Sequence, residues 1–314
     1  MNFFLFSIIL LVLFALQLFY FRIADKFNII DKPNERSSHT RVTLRGGGVV
    51  FYFGVLLFFV LQGFQYPYFM GGITIIAAVS FADDVRTLSS KVRLPLHFGA
   101  MALLFFEWGL FAQPWYLILM AFVLAVGVIN AYNFMDGING ITGVYSVVAL
   151  AALAYVNAQV YHFVDDRLIY FSLMAVMVFN WFNFRKKARC FAGDVGSVTI
   201  AFLIVFLLGK LIIETGDFRY ILFLGVYGVD SVLTIVHRIM LKENIFEAHR
   251  KHVYQIMANE LKIPHLMVSL FYGALQLLVS IVVILSPLAA AVLVFWLGVG
   301  YVLFKRKYFY LHNL

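Results

Sequence analysis

The sequence contains very few cysteines and few charged residues for its length. Its 314 residues include one cysteine, Cys190, which excludes an intramolecular disulfide framework. Charged residues make up 13% of the chain, whereas about a quarter is usual in a soluble domain. Because 63% of the residues are hydrophobic, the composition instead predicts an integral membrane protein.

Three further absences narrow the functional class. The sequence has no Gly-x-x-x-x-Gly-Lys-Ser/Thr loop, which argues against a P-loop ATPase. It has no internal repeat, so the usual layout of a secondary transporter gains no support. The apolar stretch 2–21 has no basic residues before it and no small-residue cleavage site before Arg22. We therefore expect a retained first helix and not a removed signal peptide.

Apolar segments long enough to cross a bilayer as helices recur along the whole chain. We predict an all-α, polytopic integral membrane protein that forms a single domain over residues 1–314, with about eleven transmembrane helices. The candidate spans are 3–21, 46–62, 69–82, 94–112, 115–133, 140–158, 168–184, 195–213, 220–236, 266–284 and 288–304. The third is short for a full span.

Basic residues are distributed unevenly between the two sides of these predicted spans. With the N-terminus outside, 21 of the 24 lysines and arginines fall on the inner side, and only Arg167, Lys210 and Arg219 lie on or near the other. This asymmetry predicts that the inner side and the C-terminus are cytoplasmic. It also accounts for the net charge of +8 as a topology signal, so nucleic-acid binding is not predicted.

The richest group of polar residues lies at 130–143, in the sequence NAYNFMDGINGITG. The stretch follows a long apolar run, so Asn130, Asn133 and Asp136 would lie along one side of a continuing helix. Glycine then recurs at every third residue, which lets the backbone turn and approach a ligand closely. The pattern indicates a site at a membrane surface; the simpler alternative is a glycine-rich loop between two helices.

Two neighbouring acids, Asp83 and Asp84, lie at the inner end of the third predicted span. Adjacent residues on a helix point about 100° apart, so we expect the two side chains to have different roles. Their mutual repulsion requires a cation or a basic side chain nearby, and acids are unfavourable at a helix C-terminus. A functional role is thus favoured over a solvated helix end. Lys91 and Arg93 follow, although lone basic residues are more often topology determinants than ligands.

Asp194 lies just before the eighth predicted span, in the sequence CFAGDVGSV. Flanking backbone N–H groups and a helix N-terminus would be available to receive an anion. Asp194 could instead simply cap the helix. The pattern Phe-x-Gly-Asp-x-Gly-Ser is more specific than a cap requires, which favours a functional role.

His249 and His252 are three residues apart in the segment EAHRKHVYQ, with Arg250 between them suited to bind phosphate. On a helix, the two imidazoles would share one flank. Such a pair can ligate zinc, but the carboxylates and amides elsewhere favour a harder cation. The alternative for a basic amphipathic segment is attachment to the membrane surface.

All these groups fall on the predicted cytoplasmic side, although they come from four separate segments. Oxygen ligands favour Mg²⁺, with Mn²⁺ as an alternative, and Mg²⁺ typically bridges carboxylates to substrate phosphates. The residues alone therefore predict a Mg²⁺-dependent enzyme acting on a phosphorylated substrate at the lipid bilayer. A transporter or flippase of a charged lipid is the rival, and its central charges would be Glu107 and Asp230, which lie within spans and need partners.

In this order, the motifs resemble the polyprenyl-phosphate N-acetylhexosamine-1-phosphate transferase family. The matching segments are Asp31-Lys32-Pro33, Arg45-Gly46-Gly47-Gly48, Asp83-Asp84, Asn130–Gly140, Phe191–Ser197 and His249-Arg250-Lys251-His252. The resemblance implies transfer of a sugar-1-phosphate from a UDP-N-acetylhexosamine to undecaprenyl phosphate, with release of UMP. It implies a cytoplasmic-face cleft in the bacterial inner membrane and initiation of a cell-surface glycan such as O-antigen or capsule. It is also consistent with a homodimer.

The resemblance implies roles for individual residues. The catalytic set would be Asp83, Asp84, Asp136, His249 and His252, the substrate-binding set Lys91, Arg93, Asn130, Asn139, Phe191 and Arg250, and the metal ligands Asp194 and Asn133. Asp194 would be the principal Mg²⁺ ligand, and Asp83 the base or the partner of the lipid phosphate. Phe191 and Asn139 resemble uracil-contacting positions, and the histidine segment would hold the diphosphate or the sugar.

Two departures from the family pattern bear on specificity. Asn139 stands where many bacterial members have the second acid of Asp-Gly-x-Asp-Gly, which would alter uracil recognition in detail. The His-Arg-Lys-His segment lacks the three consecutive histidines of the peptidoglycan enzyme, phospho-MurNAc-pentapeptide transferase, and looks closer to the O-antigen and capsule initiators. The peptidoglycan enzyme remains an alternative, whereas the intact acids argue against an inactive relative.

Overall fold

The computed structural model describes residues 3–33, 38, 41–244 and 249–308, and these residues are almost entirely helical. Their long helices are α1 Phe3–Lys26, α2 Val49–Leu61, α3 Pro67–Val85, α4 Ser90–Glu107, α5 Trp115–Met135, α6 Ile141–Gln159, α7 Asp166–Asn183, α8 Gly193–Thr215, α9 Gly225–Met240, α11 His265–Leu285 and α12 Pro287–Lys307. A short helix α10, Val253–Gln255, continues as a π-helical turn over Ile256–Glu260, and 3₁₀ segments cover Leu110–Ala112 and Phe218–Leu224. A two-residue hairpin pairs β1, Ile30–Asp31, with β2, Thr43–Leu44.

The all-α, multi-pass membrane fold predicted from the sequence is confirmed. Each predicted span corresponds to one long helix, and within the described residues eight segments are long and apolar enough to cross a bilayer. Only the lengths of individual spans differ from the prediction. The third span is 19 residues long because the helix continues through Asp83 and Asp84, whereas α2 has only 13 residues.

Helix α8 occupies the centre of the bundle and is buried on all sides along most of its length. A helix that is apolar all round has to be enclosed by other helices, and α8 packs against α2, α3, α5 and α6. Stacked rings hold it to α3, with the centroids of Phe69 and Phe206 4.0 Å apart. The first turn of α8, which carries Asp194, is therefore fixed in the middle of one end of the bundle.

The two acids that lie within predicted spans both have structural partners. Glu107, the last residue of α4, accepts hydrogen bonds from the backbone N–H groups of Tyr68 (2.8 Å) and Phe69 (3.0 Å), and so caps α3. Asp230 is buried in α9 and accepts hydrogen bonds from Tyr272 and Thr234. Hydrogen bonds within the fold account for both carboxylates, so these residues give the transporter alternative no support.

Candidate active site

A carboxylate from another helix caps the first turn of α8. Asp84, near the end of α3, accepts hydrogen bonds from the backbone N–H groups of Asp194 (3.0 Å) and Val195 (2.9 Å). The side chain of Asp84 has no exposed surface, and its charge is offset by the positive end of the α8 dipole. The alternative that Asp194 itself caps α8 is wrong, because the N-cap residue is Ala192 and no side chain caps it from within the segment. The Asp194 carboxylate, 27% exposed, is available for other contacts.

Arg45 joins the two acids at this end of α8. Its Nε atom lies 2.6 Å from Asp84 Oδ1, and its Nη2 atom lies 3.4 Å from Asp194 Oδ1. The backbone carbonyl of Arg45 accepts a hydrogen bond from Tyr20 Oη at 2.6 Å, which ties the arginine to α1. Arg45 thus neutralises part of the charge that two neighbouring carboxylates bring to a largely dry position.

The three glycines after Arg45 allow its segment to lie directly on the start of α8. The N–H groups of Gly47 and Gly48 donate to the carbonyls of Phe191 (2.8 Å) and Ala192 (3.0 Å). A Cβ atom at Gly48 would clash with the backbone of Gly196. Backbone segments can approach this closely only where both carry glycine. This contact explains why glycines follow Arg45 in the Arg-Gly-Gly-Gly motif.

Asp83 points away from Asp84, as the helical geometry predicts. It accepts a hydrogen bond from the Leu88 N–H at 2.6 Å and forms an ion pair with Arg93 Nη1 at 2.7 Å. Its carboxyl group also interacts directly with that of Asp194. Two carboxyl groups that face each other repel when both are ionised, so this pair favours a cation between or beside them.

The end of α5 contributes an amide and a further acid. Asn133 Oδ1 accepts a hydrogen bond from Ser197 Oγ at 2.8 Å, which places Asn133 about one helical turn from Asp194 on α8. Asp136 follows the last residue of α5 and accepts a hydrogen bond from Thr142 Oγ1 at 2.5 Å. Asn130 lies one turn earlier on α5 and is exposed; its substrate-binding role stays a prediction.

The carboxyl group of Asp136 has a strongly raised pKa. Burial raises its pKa from 3.8 to about 7, the hydrogen bond from Thr142 opposes that rise, and the charges of Asp194 and Asp84 add to it. Since Asp136 feels both of those acids, all four acids belong to one electrostatic cluster. The four acids of this cluster outnumber the two arginines, Arg45 and Arg93, that form ion pairs with them.

The shift of Asp136 makes stability depend on pH with a defined sign. Between 3.8 and about 7 the folded protein binds a proton at Asp136 that the unfolded chain releases, so stability falls as the pH rises through this window. We expect the unfolding temperature, measured in detergent without divalent cations, to fall over this range, and Asp136→Asn to flatten the fall. Asp165→Asn should leave it in place, because a hydrogen bond from Arg167 lowers the pKa of Asp165. An unchanged slope in Asp136→Asn would contradict this assignment.

The donor set at the start of α8 fits a hard divalent cation. No group of three His, Cys, Asp or Glu side chains in the described ranges forms a ready-made cage. Mg²⁺ does not need one, because it usually takes one or two carboxylates and completes its shell with water and substrate phosphates. The interacting carboxyl groups of Asp194 and Asp83, with the Asn133 amide nearby, supply oxygen donors of that kind.

The histidine segment is not the helix that its spacing suggested. His252 is the N-cap of α10, which begins at Val253, and His249 precedes it in irregular backbone. The imidazole centroids are 5.0 Å apart, but His252 is buried whereas His249 is half-buried. The helical prediction fails because two hydrogen bonds start a new helix after His252. The His252 N–H donates to Gln255 Oε1 at 3.3 Å, and the Gln255 N–H donates to the His252 carbonyl at 3.1 Å.

The same segment is attached to the end of α5 beside Asp136. Tyr254 Oη donates to the carbonyl of Phe134 at 2.8 Å, and a Cβ atom at Gly137 would collide with the Tyr254 ring. Burial, followed by the charges of His252, Arg238 and Lys305, lowers the pKa of His249 to about 3. His249 is therefore neutral at physiological pH, and Arg250 is the cation nearest to it in sequence.

The remaining predicted substrate-binding residues differ in their exposure. Asn139 is buried and its Nδ2 donates to the carbonyls of Arg185 (2.9 Å) and Lys186 (3.4 Å), which holds the loop between α7 and α8. Lys91 is exposed in the first turn of α4, and Phe191 is half-buried. The uracil-contacting roles of Asn139 and Phe191, and the phosphate-binding role of Lys91, stay predictions.

Sequence reasoning missed two residues of this arrangement. From the sequence, Arg45 was interpreted only as a topology determinant and as part of a motif. In the structure it bridges Asp84 and Asp194. Asp230 was only an acid in need of a partner, yet its Oδ1 atom lies 3.2 Å from His252 Nδ1. An isolated carboxylate in an apolar span was the available signal, because such a group is costly unless it is paired.

Comparison with known proteins finds that this chain is similar to one glycosyl transferase family and to several bacterial sugar-phosphate transferases. Residues 66–211 match the family described as glycosyl transferase family 4, a stretch that runs from α3 to α8. The probable undecaprenyl-phosphate N-acetylglucosaminyl 1-phosphate transferase of Bacillus subtilis is 26% identical over an alignment of 258 residues that covers 74% of this chain and 70% of that protein.

Two further relatives are named undecaprenyl-phosphate alpha-N-acetylglucosaminyl 1-phosphate transferase. The Thermotoga maritima protein is 24% identical over 76% of this chain and 76% of its own length. The protein of Escherichia coli strain K12 is 23% identical over 77% of this chain and 73% of its own length. The family match includes Asp83, Asp84, Asn133, Asp136 and Asp194, whereas Arg45 and the histidine segment lie outside it.

Proposed function

From the match of residues 66–211 to glycosyl transferase family 4 we propose that this chain is a member of that family. We propose that it transfers an N-acetylhexosamine-1-phosphate from a UDP-sugar to undecaprenyl phosphate and releases UMP. The observation that carries the proposal is the Asp194 carboxylate at the N-terminus of α8, beside Asp83 and joined to Arg45. The names of the relatives favour an N-acetylglucosaminyl group over the peptidoglycan precursor as the transferred sugar.

The reaction is a phosphoryl transfer at the β-phosphorus of the donor. An oxygen of the lipid phosphate forms the new P–O bond, and the P–O bond to UMP breaks. A phosphate monoester has its second pKa near 6, so the attacking group is mostly dianionic at neutral pH and needs no strong base. Asp83, held by Arg93, would then position the lipid phosphate and not deprotonate it.

Asp194, Asp83 and Asn133 are the residues that would hold Mg²⁺. Bound there, the cation would neutralise the diphosphate and the departing UMP. Arg45 restrains Asp194 from the other side, and the exposed Lys91 would meet phosphate that arrives from solution. His249, Arg250 and His252 would contact the diphosphate or the sugar.

We also place the site on the cytoplasmic face of a bacterial inner membrane, with the N-terminus outside and the C-terminus inside. The ends of α3 and α5, the start of α8 and the histidine segment meet on the side to which 21 of the 24 lysines and arginines were assigned. A water-soluble UDP-sugar and a lipid acceptor meet naturally at such a surface. The product would initiate a cell-surface glycan such as O-antigen or capsule.

Release of UMP by the purified protein in detergent tests the proposal. We expect release from UDP-N-acetylglucosamine that requires both undecaprenyl phosphate and Mg²⁺. Reactions without lipid, or with a chelator, are the controls, and a series of other UDP-sugars, including UDP-MurNAc-pentapeptide, identifies the donor. Failure of every UDP-sugar to yield lipid-dependent UMP would refute the proposed reaction.

A further inference from the structure

Asp230 is a buried carboxylate whose partners converge on it from three parts of the chain. Oδ2 accepts a hydrogen bond from Tyr272 Oη of α11 at 2.6 Å. Oδ1 accepts from Thr234 Oγ1 of α9 at 3.2 Å and from the backbone N–H of Val253 at 3.1 Å. Three fixed donors determine where the carboxylate points, and it points at the histidine segment.

The remaining partner of this carboxylate is the imidazole of His252. Asp230 Oδ1 lies 3.2 Å from His252 Nδ1, and both side chains are almost fully buried, with exposed fractions of 3% and 2%. Because an ionised carboxylate can only accept, Nδ1 has to carry the proton. The other ring nitrogen, Nε2, is then the atom that remains for a different partner.

Nε2 of His252 is buried and has no hydrogen-bond partner among the described residues. Buried polar atoms are almost always paired in folded proteins, so an orphaned ring nitrogen indicates a ligand that the chain itself does not supply. The rings of His249 and Phe134 pack on that of His252 at 5.0 and 6.3 Å, and both are at least partly exposed. The rings of His249 and Phe134 therefore separate His252 from the surface, next to the end of α5.

We propose that Asp230 is a positioning residue that fixes the tautomer and the orientation of His252, so that Nε2 faces the diphosphate of the bound UDP-sugar. This inference rests on the proposed function and extends it to a residue of α9. With Nδ1 bonded to Asp230, Nε2 is the ring atom left to form a hydrogen bond with a phosphate oxygen. No covalent step is assigned to either residue.

The kinetic test compares Asp230→Asn, His252→Gln and the double variant. We expect Asp230→Asn to lower kcat by about 10- to 100-fold, as is usual when the partner that orients a functional histidine is removed, and KM to change little. In the His252→Gln background, Asp230→Asn should cost nothing further in kcat, because it acts through His252. Thr234→Val is the matched control, since it removes a hydrogen bond to the same carboxylate but keeps the charge.

A purely structural role predicts a different set of results. Asp230→Asn and Thr234→Val would then both lower the unfolding temperature without changing kcat per folded molecule, or their effects would multiply with that of His252→Gln. Either result would overturn the proposal.

A second measurement does not depend on activity. With ¹⁵N-labelled histidine, the His252 signal is assigned as the one of eight that His252→Gln removes. We expect wild-type protein to show a protonated Nδ1, and Asp230→Asn to change the ring-nitrogen shifts, because an amide can donate to Nδ1. An unprotonated Nδ1 in wild type would refute the geometry. If no UDP-sugar releases UMP but the Nδ1–H signal is present, the proposed reaction fails while the orientation by Asp230 stands.

Discussion

Asp194→Asn is expected to lower turnover by about 100- to 1000-fold, the loss that is usual when one group that stabilises transition-state charge is removed. The substitution keeps the shape of the side chain and leaves the N–H groups of Asp194 and Val195 bonded to Asp84. It removes the charge that interacts with Arg45 and would hold the cation. Initial rates of UMP release over a wide range of Mg²⁺ concentrations measure the effect.

The control for Asp194→Asn is Asp165→Asn, which removes an acid at the other end of the bundle. Asp165 accepts a hydrogen bond from the Arg167 N–H and caps α7, so its loss should leave turnover unchanged. Excess Mg²⁺ should not rescue Asp194→Asn, because a higher concentration of the cation does not replace the missing carboxylate ligand. Wild-type rates in that variant would remove Asp194 from the metal-binding role.

Asp84→Asn is expected to impair both the fold and the reaction. Removing one partner of a buried ion pair costs about 3–5 kcal/mol, and the partial exposure of Arg45 (34%) favours the lower end of that range. The variant also weakens the cap of α8, so the first turn that carries Asp194 loses its anchor. We expect a lower unfolding temperature together with a loss of kcat that persists when rates are corrected for folded protein.

Glu107→Gln separates these two effects. Like Asp84, Glu107 caps a neighbouring helix from outside, but it does so at the opposite end of the bundle. It should therefore lower the unfolding temperature without lowering kcat per folded molecule. If Asp84→Asn behaved in the same way, Asp84 would be a structural cap without influence on the site.

Residue spacing predicted side-chain directions correctly within continuous helices but not across the start of a new helix. Asp83 and Asp84 were expected to diverge, and they do, because a helix rotates neighbouring side chains by a fixed angle. Asn130 and Asn133 share one helix for the same reason. The helix predicted for His249 and His252 is wrong, because hydrogen bonds between His252 and Gln255 start a new helix at Val253.

The amino-acid sequence by itself determined the helical fold class, the predicted orientation and the type of site. The apolar lengths determined the multi-pass helical fold, the distribution of lysine and arginine determined the predicted orientation, and the four polar motifs indicated a phosphate-handling site. These signals are read along the chain, within one segment or from the order of the segments, so no knowledge of how the helices pack was needed.

The tertiary structure decided which groups neutralise one another. Arg45 and Asp194 are separated by almost half the chain, and Asp230 and His252 come from different sides of a loop, yet each pair is now in contact. A charge in a dry interior is tolerated only beside an opposite charge or a donor, and helix packing alone supplies those neighbours. The proposed chemistry depends on these pairings, which is why it could be suspected from the motifs but not assigned to atoms without the fold.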